Sequence, residues 1–414
     1  MTHTTPHPAV WHPSRRAVLA ASAATALCAG IGRARAAEVI KVGMIFAKQG
    51  VSVDHGTNLA AGARLALDQA GSRVLDRPVE LLWYDEPSPQ VAAQSMTKLV
   101  EEDKAVAVMG GSLTNYALAI SAIAKRTKTP FIASNAVARE VTGKECHPYV
   151  FRLPTTTPTV VKAMTPTLST LGKRWYFLVS AFGFGLDTYA AFKSVMKDLG
   201  GTEVGYDQTP LGTNDFSAFL LKIRQAKPDV VICGVPGQDF SNLLKQYKEF
   251  GLRGRVPLVQ PSVGDNDLWA IGPETAAGIC GAPWHYSDAA NPADEKAMVA
   301  AYIAKNGKPP APGVWLGWLS MRFVLAAITK ANTTDSGAIV RALEDVRLGD
   351  ENSPAYFRKW DHQMMHRTLV TKVKDKITDK WDFVDIIDQA PKTPVGLDAL
   401  FGTPAEIGCT MGEI

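Results

Sequence analysis

The sequence predicts an α/β protein of two doubly wound lobes, each a parallel sheet with helices on both faces. Three observations carry this. Short apolar, β-branched runs alternate with helical runs over most of the chain, the signature of βαβ units. The alternation comes in two series, divided where Pro154 and Pro158 flank a run of threonines. After the second series the chain turns to helices and then to two late strand patterns, which read as a return through both lobes.

Residues 1–36 stand outside that fold. Ser14-Arg15-Arg16 precedes an Ala-rich apolar run from Ala17 to Ile31, and Ala34-Arg35-Ala36 places small residues where a signal peptidase reads. The segment is expected to be an export signal, with a periplasmic mature chain starting at Ala37. The paired arginines suggest the twin-arginine route, while Val18 and Ala20 stand where Phe and Lys are usual and leave the general secretory route open. Leu27 is too large for a lipid-attachment box before Cys28. Removing Arg15, Arg16, Arg33 and Arg35 with no acidic residue takes the net charge of +4 to about neutral. That gives no basis for a nucleic-acid or anionic-membrane partner. No later apolar run is read as approaching the roughly 20 residues that span a bilayer.

In the first lobe, Val39 to Ala47 reads as a strand, Asn58 to Ala70 as a helix and Val79 to Tyr84 as a strand ending at Asp85-Glu86-Pro87. Ser88 caps a helix to Glu102, with Pro89 at its first position. The strand Ala105 to Met109 then ends in Gly110-Gly111. Ser112, Thr114 and Asn115 follow at a helix start, where free N–H groups and the helix dipole favour an anion. The next strand, Pro130 to Ala133, ends in Ser134 and Asn135. Two adjacent strand ends thus offer polar groups at the sheet edge where α/β proteins bind ligands, although the same residues would serve an ordinary capped βαβ unit. Tyr149 to Leu153 completes the series.

The second lobe alternates helix 159–171, strand 174–180, helix 184–199, strand 202–208, helix 216–226, strand 229–234, helix 240–250 and strand 256–260. Gly278 to Tyr286 is strand-like. Helices follow at 292–306, 314–331 and 336–343, then extended sequence at 356–361 and strands at 368–373 and 381–387. The Pro- and Gly-rich tail from Ala390 reads as irregular.

Cys233 and Cys280 lie in apolar runs and are expected to be buried free thiols. Cys146 and Cys409 lie in polar, loop-like sequence; a disulfide between them would pin the tail, though spacing alone does not fix the pairing. Motifs for an enzyme are missing: no G-x-S-x-G, no H-E-x-x-H, no C-x-x-C and no phosphate-loop lysine. The Gly183-Phe184-Gly185 pair lacks the third glycine of a dinucleotide fingerprint. His362 and His366, four apart, are read as solvated or structural rather than metal ligands.

Several stretches together resemble the periplasmic binding proteins of ABC importers, in the group for branched-chain amino acids. These are Val39-Ile40-Lys41-Val42-Gly43, His55-Gly56 with Asn58 to Ala63, Gly110 to Thr114, Ile132 to Ala136 leading to Val141-Thr142-Gly143, Asn214 to Ser217, Pro228 to Val231 and Asp361-His362-Gln363. Their order spans nearly the whole mature chain. The resemblance implies the type I fold of that family, with three hinge crossovers joining the lobes. It divides the chain into signal 1–36, lobe 1 at 37–153 and 283–360, lobe 2 at 154–282, hinge and lobe 2 at 361–390, and tail 391–414. It implies a ligand site at Thr114 and Ser112 for a carboxylate, with Asn135 and the Ala136 carbonyl beside them. Val137 stands where amino-acid binders often have Thr, and His55 replaces an aromatic. Phe184 and Trp318 match aromatic positions. The acid that pairs with a ligand ammonium is replaced by Ser262, with Asp265 the closest carboxylate. No cofactor or metal is implied.

The expected function is therefore an exported, monomeric solute-binding protein that closes over an amino acid, or an aromatic or aliphatic carboxylate or amide, and docks on an inner-membrane ABC permease. Two other functions are weighed against it. One is a ligand-sensing receptor subunit of the same fold. The other is a periplasmic hydrolase using Ser112 or Thr114 with His55.

Overall fold

A computed structural model describes residues 1–2, 38–49 and 53–414. The export signal read at 1–36 lies outside the described residues but for its first two. Contacts divide the chain into Met1–Glu38 and Val39–Ile414, and the second unit carries all that follows.

Lobe 1 opens with β1 (Ile40–Ile45), α1 (Val53–Gln69), β2 (Arg73–Val74), β3 (Arg77–Tyr84), α2 (Pro89–Glu101), β4 (Ala107–Gly110), α3 (Thr114–Thr127), β5 (Phe131–Ala133) and β6 (Val150–Arg152). At α2 the Ser88 side chain accepts from Val91 N–H at 3.2 Å and Pro89 opens the helix, as the local sequence dictates. Lobe 2 follows with α4 (Thr157–Leu168), β7 (Arg174–Ser180), α5 (Gly183–Met196), β8 (Thr202–Thr209), α6 (Ser217–Ala226), β9 (Val230–Gly234), α7 (Gly237–Glu249), β10 (Leu258–Gln260), α8 (Asp265–Ile271) and β11 (Ile279–Ala282). The chain returns to lobe 1 with α9 (Ala293–Asn306), α10 (Pro312–Ala331), α11 (Ser336–Asp345) and the small sheet β12 (Arg347–Gly349), β13 (Pro354–Phe357) and β14 (Met364–Met365). It ends in lobe 2 with β15 (Thr368–Val373) and β16 (Val384–Ala390), then α12 (Leu397–Phe401) and α13 (Pro404–Ile407).

The strand order is β2-β3-β1-β4-β5-β6 in lobe 1 and β16-β15-β11-β10-β9-β7-β8 in lobe 2. Central pairs are parallel, whereas β2, β15 and β16 run antiparallel, so both sheets are mixed at one edge. The central parallel strands, β1, β4 and β5 in lobe 1 and β7 and β9 in lobe 2, are buried on both faces, which is why they read as unbroken apolar runs. Along β4, Ala107 and Met109 enter one core layer and Val108 the other. Along β9, Val231 and Cys233 enter one and Val230 and Ile232 the other. Cys233 and Cys280 are buried free thiols, and burial pushes both up to about 12.

Two expectations need correction. Helix α10 has 20 residues and is long and apolar enough to cross a membrane, contrary to the reading that no later run approaches that length. It is instead a core helix, 78% buried. Glycines let it lie backbone to backbone on α1: a Cβ on Gly62 would stand 1.8 Å from the Val314 carbonyl, and one on Gly317 2.0 Å from that of Leu59. The tail is also not wholly irregular. Thr403 caps α13 by accepting from Glu406 N–H while the Glu406 carboxylate accepts from Thr403 N–H. Leu397, Leu400 and Phe401 pack on Ala163 and Met365. Beyond them Cys409 forms a disulfide with Cys146, the Cα atoms 5.7 Å apart.

The lobes join at 153–156, 283–292 and 366–367. At the second crossover Trp284 and Trp315 stack at 5.9 Å, and both indoles donate to Glu295, at 2.7 and 3.0 Å. His362 stacks on Phe151 at 4.0 Å and His366 bonds Thr155 at 3.1 Å. Both are buried structural residues rather than solvated ones.

Candidate functional site

β1, β3, β4 and β5 are mutually parallel, so their C-terminal ends share one edge. The chain leaves β4 through Gly110 (φ 138°) and Gly111 (φ 79°), backbone that favours glycine. A Cβ at Gly110 would stand 1.9 Å from the Ile45 carbonyl. This turn delivers Ser112, which is 3% exposed. Its N–H donates to Glu86 Oε1 at 2.8 Å and its carbonyl accepts from Asn135 Nδ2 at 3.0 Å. Its Oγ has no partner. Thr114 is half-buried at the first position of α3, where Leu113 supplies no side-chain cap. That helix start keeps its capacity for an anion.

Ala136 is buried and Val137 half-buried in the next loop. The loop is braced from below by Arg152, 1% exposed, which donates to the carbonyls of Ala138 at 2.6 Å and Val137 at 3.4 Å. Burial pulls this guanidinium down to about 9, against the opposing charge of Asp361.

On lobe 2, Phe184 is half-buried in the first turn of α5 and Ser262 is exposed in the loop after β10. Asp265 is buried, with Oδ1 3.4 Å from Nε2 of His285, which is itself 1% exposed. His285 Nδ1 accepts from Ser287 N–H at 3.3 Å, which leaves the proton on Nε2, facing Asp265. Gln260, at the end of β10, donates to the Val235 carbonyl at 3.2 Å and leaves Oε1 without a partner. Asp267 accepts from Gly264 N–H at 3.1 Å. Burial raises its pKa, while the charge of His55 pulls it the other way. His55 lies exposed in the first turn of α1, so this charge effect acts between the two lobes. A second charge effect also acts between the lobes: burial raises Asp187 on α5, Glu140 of lobe 1 adds to the rise and Arg139 opposes it.

The structure thus brings Ser112, Thr114, Asn135, Ala136 and Val137 together on one edge, and the charge of His55 reaches Asp267 in the first turn of α8 on the other lobe. It does not place Trp318 there. That side chain is 2% exposed in the lobe 1 core, donates to Gln69 at 2.7 Å near the far end of α1, and carries Arg322 on its ring. Among the described residues no hydrogen bond joins His55 to Ser112 or Thr114. Among the described residues no group of three or more His, Cys, Asp or Glu is arranged to hold a metal. Sequence reasoning passed over Glu86, Arg152, Asp267 and His285 as site-forming groups. The signal for Glu86 was its place directly after a strand, at the edge where ligands bind.

The family model for a periplasmic binding protein matches residues 39–378. A Leu/Ile/Val-binding protein homologue of Brucella abortus is 30% identical over 258 residues, 61% of this chain and 65% of that protein. The chain therefore spans just under two thirds of that relative's length. Among solved structures, a periplasmic binding protein from Burkholderia mallei is 26% identical with a TM-score of 0.79, covering 90% of this chain and 98% of that one. A solute-binding protein of an ABC transporter from Rhodopseudomonas palustris, solved with 3,4-dihydroxybenzoic acid, shares the fold at 24% identity and a TM-score of 0.75, covering 86% and 98%. With most of the chain inside that model and the same two-lobed architecture in its neighbours, the protein belongs to the periplasmic binding protein family.

Proposed function

We propose that the protein is the exported solute-binding component of an ABC importer, residing in the periplasm as a monomer. It closes over one small organic ligand bearing a carboxylate and presents the closed form to an inner-membrane permease. The single observation that carries this reading is the lobe 1 edge. An uncapped helix start at Thr114, the free Ser112 Oγ and the Ser112–Asn135 bond converge at the ends of adjacent parallel strands. Such an edge suits a carboxylate, a group common to branched-chain amino acids and aromatic acids. Ligand contact from both lobes shifts an open–closed equilibrium without making or breaking a bond.

Ser262 leaves no acid at the position that would pair with an α-ammonium, but Asp267 and Asp265 stand a few residues on. A buried ammonium needs such a partner. Both an amino acid and an aromatic acid therefore belong in the test. Thermal melts of the mature chain are followed with L-leucine, 3,4-dihydroxybenzoic acid and the amides of both. A carboxylate ligand at 100 times its dissociation constant adds about 2.7 kcal/mol of stability, and its amide adds little. Equal shifts from acid and amide would contradict the carboxylate reading.

A further inference from the structure

A buried carboxyl group backs the Ser112–Thr114 edge without being one of its ligand positions. Glu86 follows β3 by two residues and is 1% exposed. β1 lies between β3 and β4 in the sheet, so the Glu86 side chain reaches across the end of β1 to take the Ser112 N–H at 2.8 Å. The Ala47 amide, two residues past β1, approaches the same carboxylate. Glu86 Oε2 and Ser112 Oγ are both buried and neither makes a well-formed hydrogen bond, although the Ser112 hydroxyl lies near enough to the carboxylate to favour its ionised form.

The charges facing Glu86 do not neutralise it. Among the described residues no Lys or Arg pairs with it. Its neighbour Asp85 has the same sign and is occupied by the Lys48 N–H, Gln49 Nε2 and the Glu86 N–H. The Lys48 ammonium lies over the Trp83 ring, 5.3 Å from its centre. Burial, with Asp85 adding to it, pushes Glu86 up to about 7 against the Ser112 hydroxyl and N–H, which favour the ionised form.

We propose that Glu86 is the positioning residue of the lobe 1 ligand edge, and that it takes up one proton from solvent as a ligand carboxylate binds above it. The proposal rests on the reading that this edge holds the carboxylate. A ligand carboxylate at the start of α3 brings a second negative charge to a buried site, and two such groups do not both stay ionised. Glu86 is the one to be neutralised, because it is already the weaker acid. Neutral Glu86 still accepts from Ser112 N–H through Oε1. Its new Oε2–H donates to Ser112 Oγ, and the Ser112 hydroxyl proton then points to the ligand. The Ser112 hydroxyl thus turns from the carboxylate to the ligand, and Glu86, Ser112 and ligand become consecutive links of one chain. No covalent bond changes, and one proton passes from water to Glu86 Oε2.

The test is isothermal titration of the mature chain with L-leucine and with 3,4-dihydroxybenzoic acid, in two buffers of different protonation enthalpy, between pH 6 and 8. Wild type takes up a proton on binding, and its affinity falls by about tenfold across that range, one pK unit's worth of coupling. Glu86→Gln keeps both hydrogen bonds without titrating, so it binds with no proton uptake and a flat pH profile. Glu86→Asp restores uptake. An unchanged slope in Glu86→Gln, or proton release by wild type, would overturn the proposal. Thr114→Ala separates the two ideas. If it leaves affinity unchanged, the edge reading fails. If it weakens binding while Glu86→Gln keeps the wild-type slope, the edge stands and the role of Glu86 falls. If neither probe binds, both fall together.

Discussion

Two buried charged side chains, Glu86 and Arg152, hold the two loops of the lobe 1 edge from below, and each is held away from its ordinary titration by burial. The consequence for stability has a definite sign. Glu86 titrates near 7 when folded and near 4.5 as a free side chain. Between those values the folded chain holds more protons than the unfolded one, so this group costs stability as pH rises from about 4.5 to 7. Glu86→Gln is therefore expected to melt progressively higher than wild type as the buffer moves from pH 5 to 8, by on the order of 2 kcal/mol at the alkaline end. Equal differences at both pH values would contradict the burial argument. His147 and His366 act oppositely. Burial pulls both down to about 4. His147 Nδ1 accepts from Tyr149 N–H at 3.2 Å, and Nε2 meets Ser121 Oγ at 2.8 Å, which fits the neutral ring. Their stabilisation is present above the ordinary histidine range and is lost as pH falls from about 6.5 to 4. Thr114→Ala, on a half-buried helix start, is expected to weaken ligand binding with a change in stability below about 1 kcal/mol. A melt that collapses in this variant would mean a structural role instead.

At the level of elements, the tail behaves as a strap. It leaves β16 in lobe 2, packs Leu400 and Phe401 beside Ala163 of α4, and ends bonded to Cys146 in lobe 1. On the way Arg139 donates to the Glu406 carbonyl at 3.3 Å, and Lys162 meets the Glu406 carboxylate at 3.5 Å. The bridge closes a loop of 263 residues, so Cys146→Ser with Cys409→Ser is expected to cost about 2–5 kcal/mol of stability. Melts of this variant check it, and a loss equal to that of wild type under reductant identifies the bridge as the cause. The α1–α10 contact is less forgiving. A side chain at Gly317 meets the Leu59 carbonyl at 2.0 Å, backbone that cannot yield without moving a helix.

Taken as a whole, the two lobes and most of their strands were legible because central parallel strands are buried on both faces and so appear as continuous apolar runs. The two- and three-residue strands β2, β12 and β14 were not, since each is defined by its partner across space rather than by its own pattern. Helix α8 and the tail helices are too short for a period to show, although the Thr403 and Glu406 pair at α13 was a readable cap. The site divides the same way. Ser112 and Asn135 follow directly from strand ends. Glu86 and Asp267 depend on burial and on residues far along the chain. Trp318 was read as a site residue because it matches an aromatic position of the resembled family, and that match does not say whether the side chain meets a cleft or another helix; here it packs against α1. The central claim, that ligand draws two lobes together, is most directly tested by small-angle X-ray scattering of the mature chain with and without a ligand that raises its melting temperature. The radius of gyration is predicted to fall on saturation. A ligand that binds tightly and leaves it unchanged would contradict closure of the lobes.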